Sequence, residues 1–374
     1  MIWDALVFVL QLTLVFLMST ALFDALHWAL HKWEQSPNPL LRKLSSWHWV
    51  HHKFLGMDMQ VNPNYARANI WFHILPEYLT SMLGTLVFLL VFPWPPIVAV
   101  GIIRTYMLGM TLREEGLDFN HMSMDRVGGR QGLLWVNNNY HAMHHVYPTN
   151  YFSSFANVFD LIAGTTCQIR GRNFLVTGAR GAFGSAMVAK LTALGGTVET
   201  AKSGVDFTPG NYGAMVDKLA RADVLILSHG AKSDDCWNAN YVTFCELTEL
   251  FIELGKSRLA PPEVWALGSE VELHGDMGMA DLKDYSASKR AFAHKALDYY
   301  QSDALVYRHI VPSSFTSAMG KGAMTAATAV NIAMFFTRRG FRYVPVTMTG
   351  LAVLNYIRFR YFQKAQPGII EPAE

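Results

Sequence analysis

Residues 173–184 read Asn-Phe-Leu-Val-Thr-Gly-Ala-Arg-Gly-Ala-Phe-Gly. A short apolar run ends in Gly178, Gly181 and Gly184, and residues 185–194 continue with helical periodicity. A strand, a glycine-rich turn and a helix in that order let backbone N–H groups approach a pyrophosphate at the helix N-terminus. A second strand is expected over residues 196–201. Two further apolar runs, Val224-Leu-Ile-Leu227 before Ser228-His229-Gly230-Ala231 and Val264-Trp-Ala-Leu267 before Gly268-Ser269, read as buried strands that end in turns. Strands alternating with helical stretches predict an α/β Rossmann-type fold with a doubly wound parallel sheet.

Tyr285-Ser-Ala-Ser-Lys289 then opens another helical stretch. Tyr and Lys at i, i+4 share a helix face. The ammonium is therefore expected to lower the phenol's pKa and to fit Tyr285 for giving a proton to a carbonyl. Together these motifs resemble the short-chain dehydrogenase/reductase family, over residues 172–350. The resemblance implies Tyr285 as acid/base, Lys289 as its partner and ribose contact, Ser269 as the hydroxyl that polarises the carbonyl, and Asn240 as a proton-relay residue. It also implies cofactor contacts at Thr177, Gly178, Arg180, Gly181, Gly184, Lys202, Asp206, Gly230 and Lys289. The chain departs from the family at Ala182, where the loop's middle glycine is usual, and at Ser228-His229-Gly230-Ala231, where the family has Asn-Asn-Ala-Gly. Ser269 also stands slightly further before Tyr285 than is usual. An acidic residue after the second strand would hold the 2′-hydroxyl of NAD. Ala201-Lys202-Ser203 offers none, and Arg180 adds positive charge, so NADP is favoured over NAD.

The first 145 residues have a different character. They carry three histidine clusters, His27-x3-His31, His48-x2-His51-His52 and His141-x2-His144-His145. Residues at i, i+3 and i+4 share one helix face, so each cluster presents its imidazoles together. Imidazole is a ligand for Fe, Zn, Cu and Ni. Eight imidazoles with almost no carboxylates beside them point to more than one transition metal.

Three apolar stretches, about 5–30, 70–92 and 96–112, are expected to span a membrane. No basic region or small-residue cleavage site marks the first as a cleaved signal peptide. Lys32, Arg42, Lys43, Lys53 and Arg67 lie between the first and second stretches, while the Pro93-Trp-Pro-Pro96 turn has no Lys or Arg. Positive-inside bias then puts residues 32–69 and everything after 115 in the cytoplasm. All three histidine clusters fall on that side, as a shared metal site requires. At 374 residues the chain is long enough for two domains, and its net charge of +2 singles out no acidic partner such as nucleic acid. Cys167, Cys236 and Cys245 have no paired spacing, which excludes a disulfide framework and fits a reducing compartment.

After the third cluster come Asn150-Tyr-Phe152 and Asp160-Leu-Ile-Ala-Gly-Thr165, and Asn120-His121 precedes it. With the histidine boxes, these residues resemble the fatty acid hydroxylase / sterol desaturase superfamily over residues 1–166. The resemblance implies an integral membrane protein whose His27, His31, His48, His51, His52, His121, His141, His144 and His145 hold two Fe. O2 would be the co-substrate, and the product a hydroxylated or desaturated lipid. A ferredoxin- or cytochrome b5-type electron donor would be a separate protein, since no Cys-rich or haem motif occurs. Departures are three spans where the family has four, and a His121 without a second histidine nearby. His73 is expected to pack between helices. Asp24, one turn before His27, is open to two readings, a hydrogen bond to that ring or a snorkelling carboxylate.

The expected organisation is a membrane-embedded di-iron domain (1–168), a nicotinamide domain (172–350) and a basic amphipathic tail (351–374). Tail residues Arg358, Arg360 and Lys364 suit either an anionic lipid surface or an ordinary solvated helix face. The chain therefore reads as a multi-pass membrane enzyme with both active sites on the cytoplasmic side. It would join an O2-dependent lipid hydroxylase or desaturase to an NADP-dependent carbonyl/alcohol oxidoreductase. A plant-wax-type converter of long-chain aldehydes to hydrocarbons and a non-catalytic NADP-sensing membrane scaffold are the alternatives.

Overall fold

The computed structural model describes residues 1–232 and 235–366. The chain divides into two compact units. One comprises residues 1–127 and 131–166, the other residues 128–130 and 167–374.

The first unit is helical. Ile2–Trp33, Pro63–Leu90 and Trp94–Arg113 are long and apolar enough to cross a membrane. The first and third expected stretches are slightly short at both ends, and the second begins seven residues earlier and ends two residues sooner than its apolar run suggests. Leu6, Leu10, Leu14, Leu83 and Ile102 stand exposed, as suits side chains that face lipid rather than water. Arg104, which interrupts the third span, is not left bare. Its guanidinium donates to Ser19 Oγ (2.7 Å), Thr20 Oγ1 (3.0 Å) and Thr85 Oγ1 (3.2 Å), so three hydroxyls from two other spans satisfy it. Two shorter helices carry the remaining histidine boxes. Pro39–Phe54 starts with Pro at its first position, where no N–H is needed, and Asn38 caps it through Leu40 N. Asn138–Val146 is capped the same way by Asn137, whose side chain accepts from Tyr140 N at 3.0 Å.

The second unit is α/β. Its strands are β1 (Asn173–Thr177), β2 (Thr197–Ala201), β3 (Val224–Leu227), β4 (Glu263–Leu267), β5 (Val306–Pro312) and β6 (Tyr343–Val346). They form one fully parallel sheet in the order β2-β1-β3-β4-β5-β6. The order reverses between β1 and β3, and the carboxyl ends of strands at such a reversal open a crevice for ligand. Helices cover both faces, and β5 is buried along its whole length, as expected of a central parallel strand. The sheet also holds an ionic cluster. Glu263 accepts from Arg172 (2.7 Å), Arg308 (2.7 Å) and Trp265 Nε1 (2.8 Å). Burial alone would raise the Glu263 pKa, but Arg308 and Arg172 outweigh it and hold the carboxyl at about 2.

The expected tail is corrected. Helix Leu351–Ile357 and the π-helical turn Arg358–Phe362 belong to the second unit, and Ala352 and Phe359 join its hydrophobic core. The basic residues hid this, because the core residue Phe359 stands alone between Arg358 and Arg360. The last eight positions of the expected tail lie outside the described residues.

Candidate metal centre and candidate active site

All nine histidines named as ligands converge in the first unit, in two groups. His27, His31, His48, His52 and His144 form one, and His51, His121, His141 and His145 the other. Within each group one nitrogen per ring lies within 4.8 Å of all the others, and every ring is buried. Nε2 of His31 is 2.9 Å from Nε2 of His48 and 3.3 Å from that of His52, and the Nε2 atoms of His121 and His141 are 2.8 Å apart. Two nitrogens each about 2.1 Å from one ion lie roughly 3.0–3.4 Å apart; the 3.3 Å pair matches that spacing and the 2.8 and 2.9 Å pairs lie just below it. Nε2 of His27, His144 and His145 is buried without a hydrogen-bond partner, as a nitrogen reserved for a metal would be. The donor set fits two transition-metal ions.

Groups outside the ligand set orient the rings. His121 Nδ1 bonds Asp118 Oδ1 at 2.7 Å, His144 Nδ1 the Asn150 carbonyl at 2.8 Å, His145 Nδ1 the Leu55 carbonyl at 2.9 Å, and His51 Nδ1 Asn69 Oδ1 at 3.3 Å. Each bond takes Nδ1–H and leaves the Nε2 lone pair for an ion. Burial pushes the pKa of His48, His51, His52, His141 and His145 well below the usual histidine value, and that of His144 down to about 4. Neutral imidazoles are the ligating form. At His121 burial works in the same direction, but the Asp118 carboxylate outweighs it and raises the pKa. His73 is in neither group. It stacks on His51 with ring centroids 3.8 Å apart and lies 3.3 Å from Glu77, so it packs as expected. Asp24 does neither thing anticipated for it; it is fully buried and accepts from Ser154 N and Oγ.

In the second unit a cavity of about 1000 Å³ opens at the carboxyl ends of β1, β3 and β4. That is the top of the range of roughly 300–1,000 Å³ usual for small-molecule sites. Tyr285, Lys289, Ser269 and Asn240 line it together with Gly178, Arg180, Gly181, Lys202, Asp206 and Gly230. Thr177 and Gly184 do not. Thr177 is buried under the turn, where its hydroxyl bonds His229 Nδ1 at 2.7 Å. Gly184 packs against the Gly178 carbonyl. Gly178 has φ +72°, and a Cβ there would come within 2.4 Å of His229 N, so only glycine suits the turn. Asp206 accepts from Lys202 N at 2.7 Å and pairs with Lys218 at 3.1 Å, which fixes the loop after β2. Arg180 and Lys202, both exposed, line the cavity at that loop. The residues fit a phosphorylated nicotinamide dinucleotide.

Tyr285 and Ser269 line the cavity together. Burial raises the Tyr285 pKa, the neighbouring Ser269 hydroxyl lowers it and Glu272 raises it; the balance lies above the usual phenol value. The expected depression by Lys289 is absent, because Lys289 Nζ donates to the Leu267 carbonyl at 2.7 Å instead. Burial lowers Lys289 itself to about 8. Asn240 sits in the π-helical turn Asn238–Val242, a distortion frequent at functional sites. Its side chain spans Ala231 O (2.8 Å) and Ser288 Oγ (3.1 Å). The sequence reading missed His229, which bridges Thr177 and Thr243, and Asp118 and Asn69, the side chains that orient metal-site rings. An Asp three residues before His121 was the available signal for one of them.

No protein-family model matches the chain. It is 26% identical over 383 residues, covering 89% of this chain and 90% of the other, to the monoglucosyldiacylglycerol epimerase of Synechocystis sp. (strain ATCC 27184 / PCC 6803 / Kazusa). Among solved structures it is similar to a short-chain dehydrogenase from Burkholderia cenocepacia in complex with NADP (16% identity, 53% of this chain and 96% of that one, TM-score 0.41). A short-chain dehydrogenase/reductase from Burkholderia phymatum in complex with NAD matches at 14% identity, over 56% of this chain and 99% of that one, with TM-score 0.41.

Proposed function

We propose that the chain is a membrane-bound, nicotinamide-dependent oxidoreductase of a glycolipid, which inverts one carbinol carbon of the sugar. The carrying observation is the convergence of Tyr285, Ser269, Lys289 and Asn240 on one cavity with the glycine-rich turn. Similarity over nearly the full length to an epimerase of monoglucosyldiacylglycerol supplies the substrate class. Inversion at a secondary alcohol requires a C–H bond to break and re-form on the opposite face. Oxidation to a ketone followed by reduction does this with no net redox change. NADP, when bound, supplies the acceptor and donor of hydride. Ser269 and Tyr285 would hold the reacting oxygen between them; Tyr285, once its phenol is ionised, takes the hydroxyl proton as the ketone forms and returns it as the alcohol re-forms. Lys289, now on the Leu267 carbonyl, would hold the ribose and keep positive charge near the phenol. The test is conversion of monoglucosyldiacylglycerol by the full-length protein in nanodiscs with NADP. An epimeric glycolipid is expected, and intact substrate would refute the reading.

A second activity is favoured by the nine converging histidines. His27, His31, His48, His52 and His144 would hold one iron, and His51, His121, His141 and His145 the other. Iron would supply O2-dependent hydroxylation or desaturation of a lipid chain, with electrons from a separate ferredoxin- or cytochrome b5-type donor. The chain would then be bifunctional, with both sites on the cytoplasmic side of the membrane. About two irons per chain and donor-dependent O2 uptake would support this; zinc alone would overturn it.

A further inference from the structure

The sheet explains an unusual carboxylate. β4 continues past Leu267, and its alternate N–H groups bond β5: Gly268 N donates to Ile310 O at 2.7 Å and Glu270 N to Pro312 O at 3.1 Å. The N–H between them, on Ser269, points the other way. There β3 pairs only as far as Leu227, opposite Ala266, because the crevice opens beyond it. Ser269 N would be left without an acceptor. Glu272 folds back and accepts it at 2.9 Å through Oε1.

Glu272 is itself 1% exposed and firmly held. His309 Nε2 lies 3.1 Å from its Oε2, and Asn355 Nδ2 donates to that oxygen at 3.2 Å. Its backbone carbonyl accepts from Arg290 Nε at 3.1 Å and from Arg358. Asn355 and Arg358 come from the C-terminal segment that packs into the core. The fold-back also explains Gly268: a Cβ there would come within 2.3 Å of Glu272 Oε1 and 2.8 Å of His309. Glu272 does not line the cavity, so it acts through Ser269.

We propose that Glu272 is the positioning residue of this active site. It stands in for a missing strand carbonyl, fixes the Ser269 backbone and so aims the Ser269 hydroxyl at Tyr285 and the reacting oxygen. The C-terminal segment, through Asn355, is the second support of that position. This rests on the nicotinamide-dependent reading above.

Two readouts on full-length protein in nanodiscs separate the two ideas. Hydrogen exchange needs no substrate. Glu272→Ala is expected to speed exchange in the peptide spanning 264–270 at least tenfold, and Glu272→Gln, which keeps an acceptor oxygen, about threefold or less. The second readout is epimerisation of monoglucosyldiacylglycerol. Glu272→Ala is expected to lower kcat about thirtyfold while KM and NADPH binding stay within about twofold. Ser269→Ala added to Glu272→Ala should then cost less than a further threefold, because the serine's contribution is already lost. Fully multiplying effects, unchanged exchange in Glu272→Ala or an equal loss of NADPH affinity would overturn the proposal. Wild-type protein that leaves the lipid unchanged would refute the functional reading alone, and exchange would still decide the role of Glu272. Asn355→Ala is expected to give a smaller form of the Glu272→Ala exchange change, and no change there would remove the C-terminal segment from the account.

Discussion

The two sites are built in opposite ways. The histidine centre of the first unit is made of side chains, nine buried imidazoles with hardly any backbone involved except the carbonyls that orient two of them. The cleft of the second unit is made of backbone, a glycine turn and strand ends around a cavity of about 1000 Å³, with four side chains set into it. A site made of side chains is intolerant of single replacements and depends on the groups that orient each ring. A site made of backbone tolerates replacement of many lining residues and depends on where the strands stop.

The largest expected effect breaks one site and spares the other. His144→Ala removes a nitrogen from the five-histidine group. Metal content by mass spectrometry should fall from about two ions per chain to one or fewer, with NADPH binding unchanged. Equal loss of both would mean the histidines hold the fold rather than a metal. The reverse experiment is Tyr285→Phe. It should lower epimerisation by about 10²–10⁴, the usual contribution of a positioned proton donor, and leave metal content intact. Asp118→Asn sharpens the contrast within the metal centre. It weakens the bond that fixes the His121 tautomer, and metal affinity by competitive chelation should drop about 10–100-fold.

Smaller effects concern cofactor choice and stability. Arg180→Ala should raise the Kd for NADPH about tenfold and that for NADH less than twofold, measured by nicotinamide fluorescence. Equal shifts would remove the 2′-phosphate argument. The Glu263 cluster makes the second unit sensitive to acid. The folded-state pKa of Glu263, about 2, lies below its ordinary value of 4.5. Its ion pairs therefore contribute stability that is complete above the ordinary value and is lost as pH falls from about 4.5 toward 2, by roughly 3 kcal/mol. In Arg308→Met this acid dependence should shrink, as read from unfolding midpoints between pH 5 and 3.

The same contrast accounts for what the sequence made legible. The ligand histidines could be read because helical spacing alone groups i, i+3 and i+4 on one face, and the spans then bring the faces together. The glycine turn could be read because Gly178 needs φ +72°. The groups that orient them were hidden. Asn69 lies 18 residues from His51, and the Leu55 carbonyl 90 residues from His145. Glu272 was hidden for a different reason, because its role depends on β3 ending at Leu227 while β4 runs on. Lys289 was read as the partner of Tyr285 from i, i+4 spacing, but spacing fixes a shared face and not which acceptor an ammonium chooses.

The most direct test follows a hydrogen atom. Monoglucosyldiacylglycerol deuterated at every sugar ring carbon is incubated with the full-length protein and unlabelled NADP, and the product glycolipid is read by NMR. Removal and return of hydride at the Tyr285 site predicts an epimer that keeps deuterium on the inverted carbon, in the absence of O2. An epimer whose inverted carbon carries solvent hydrogen, or no epimer at all, would contradict it.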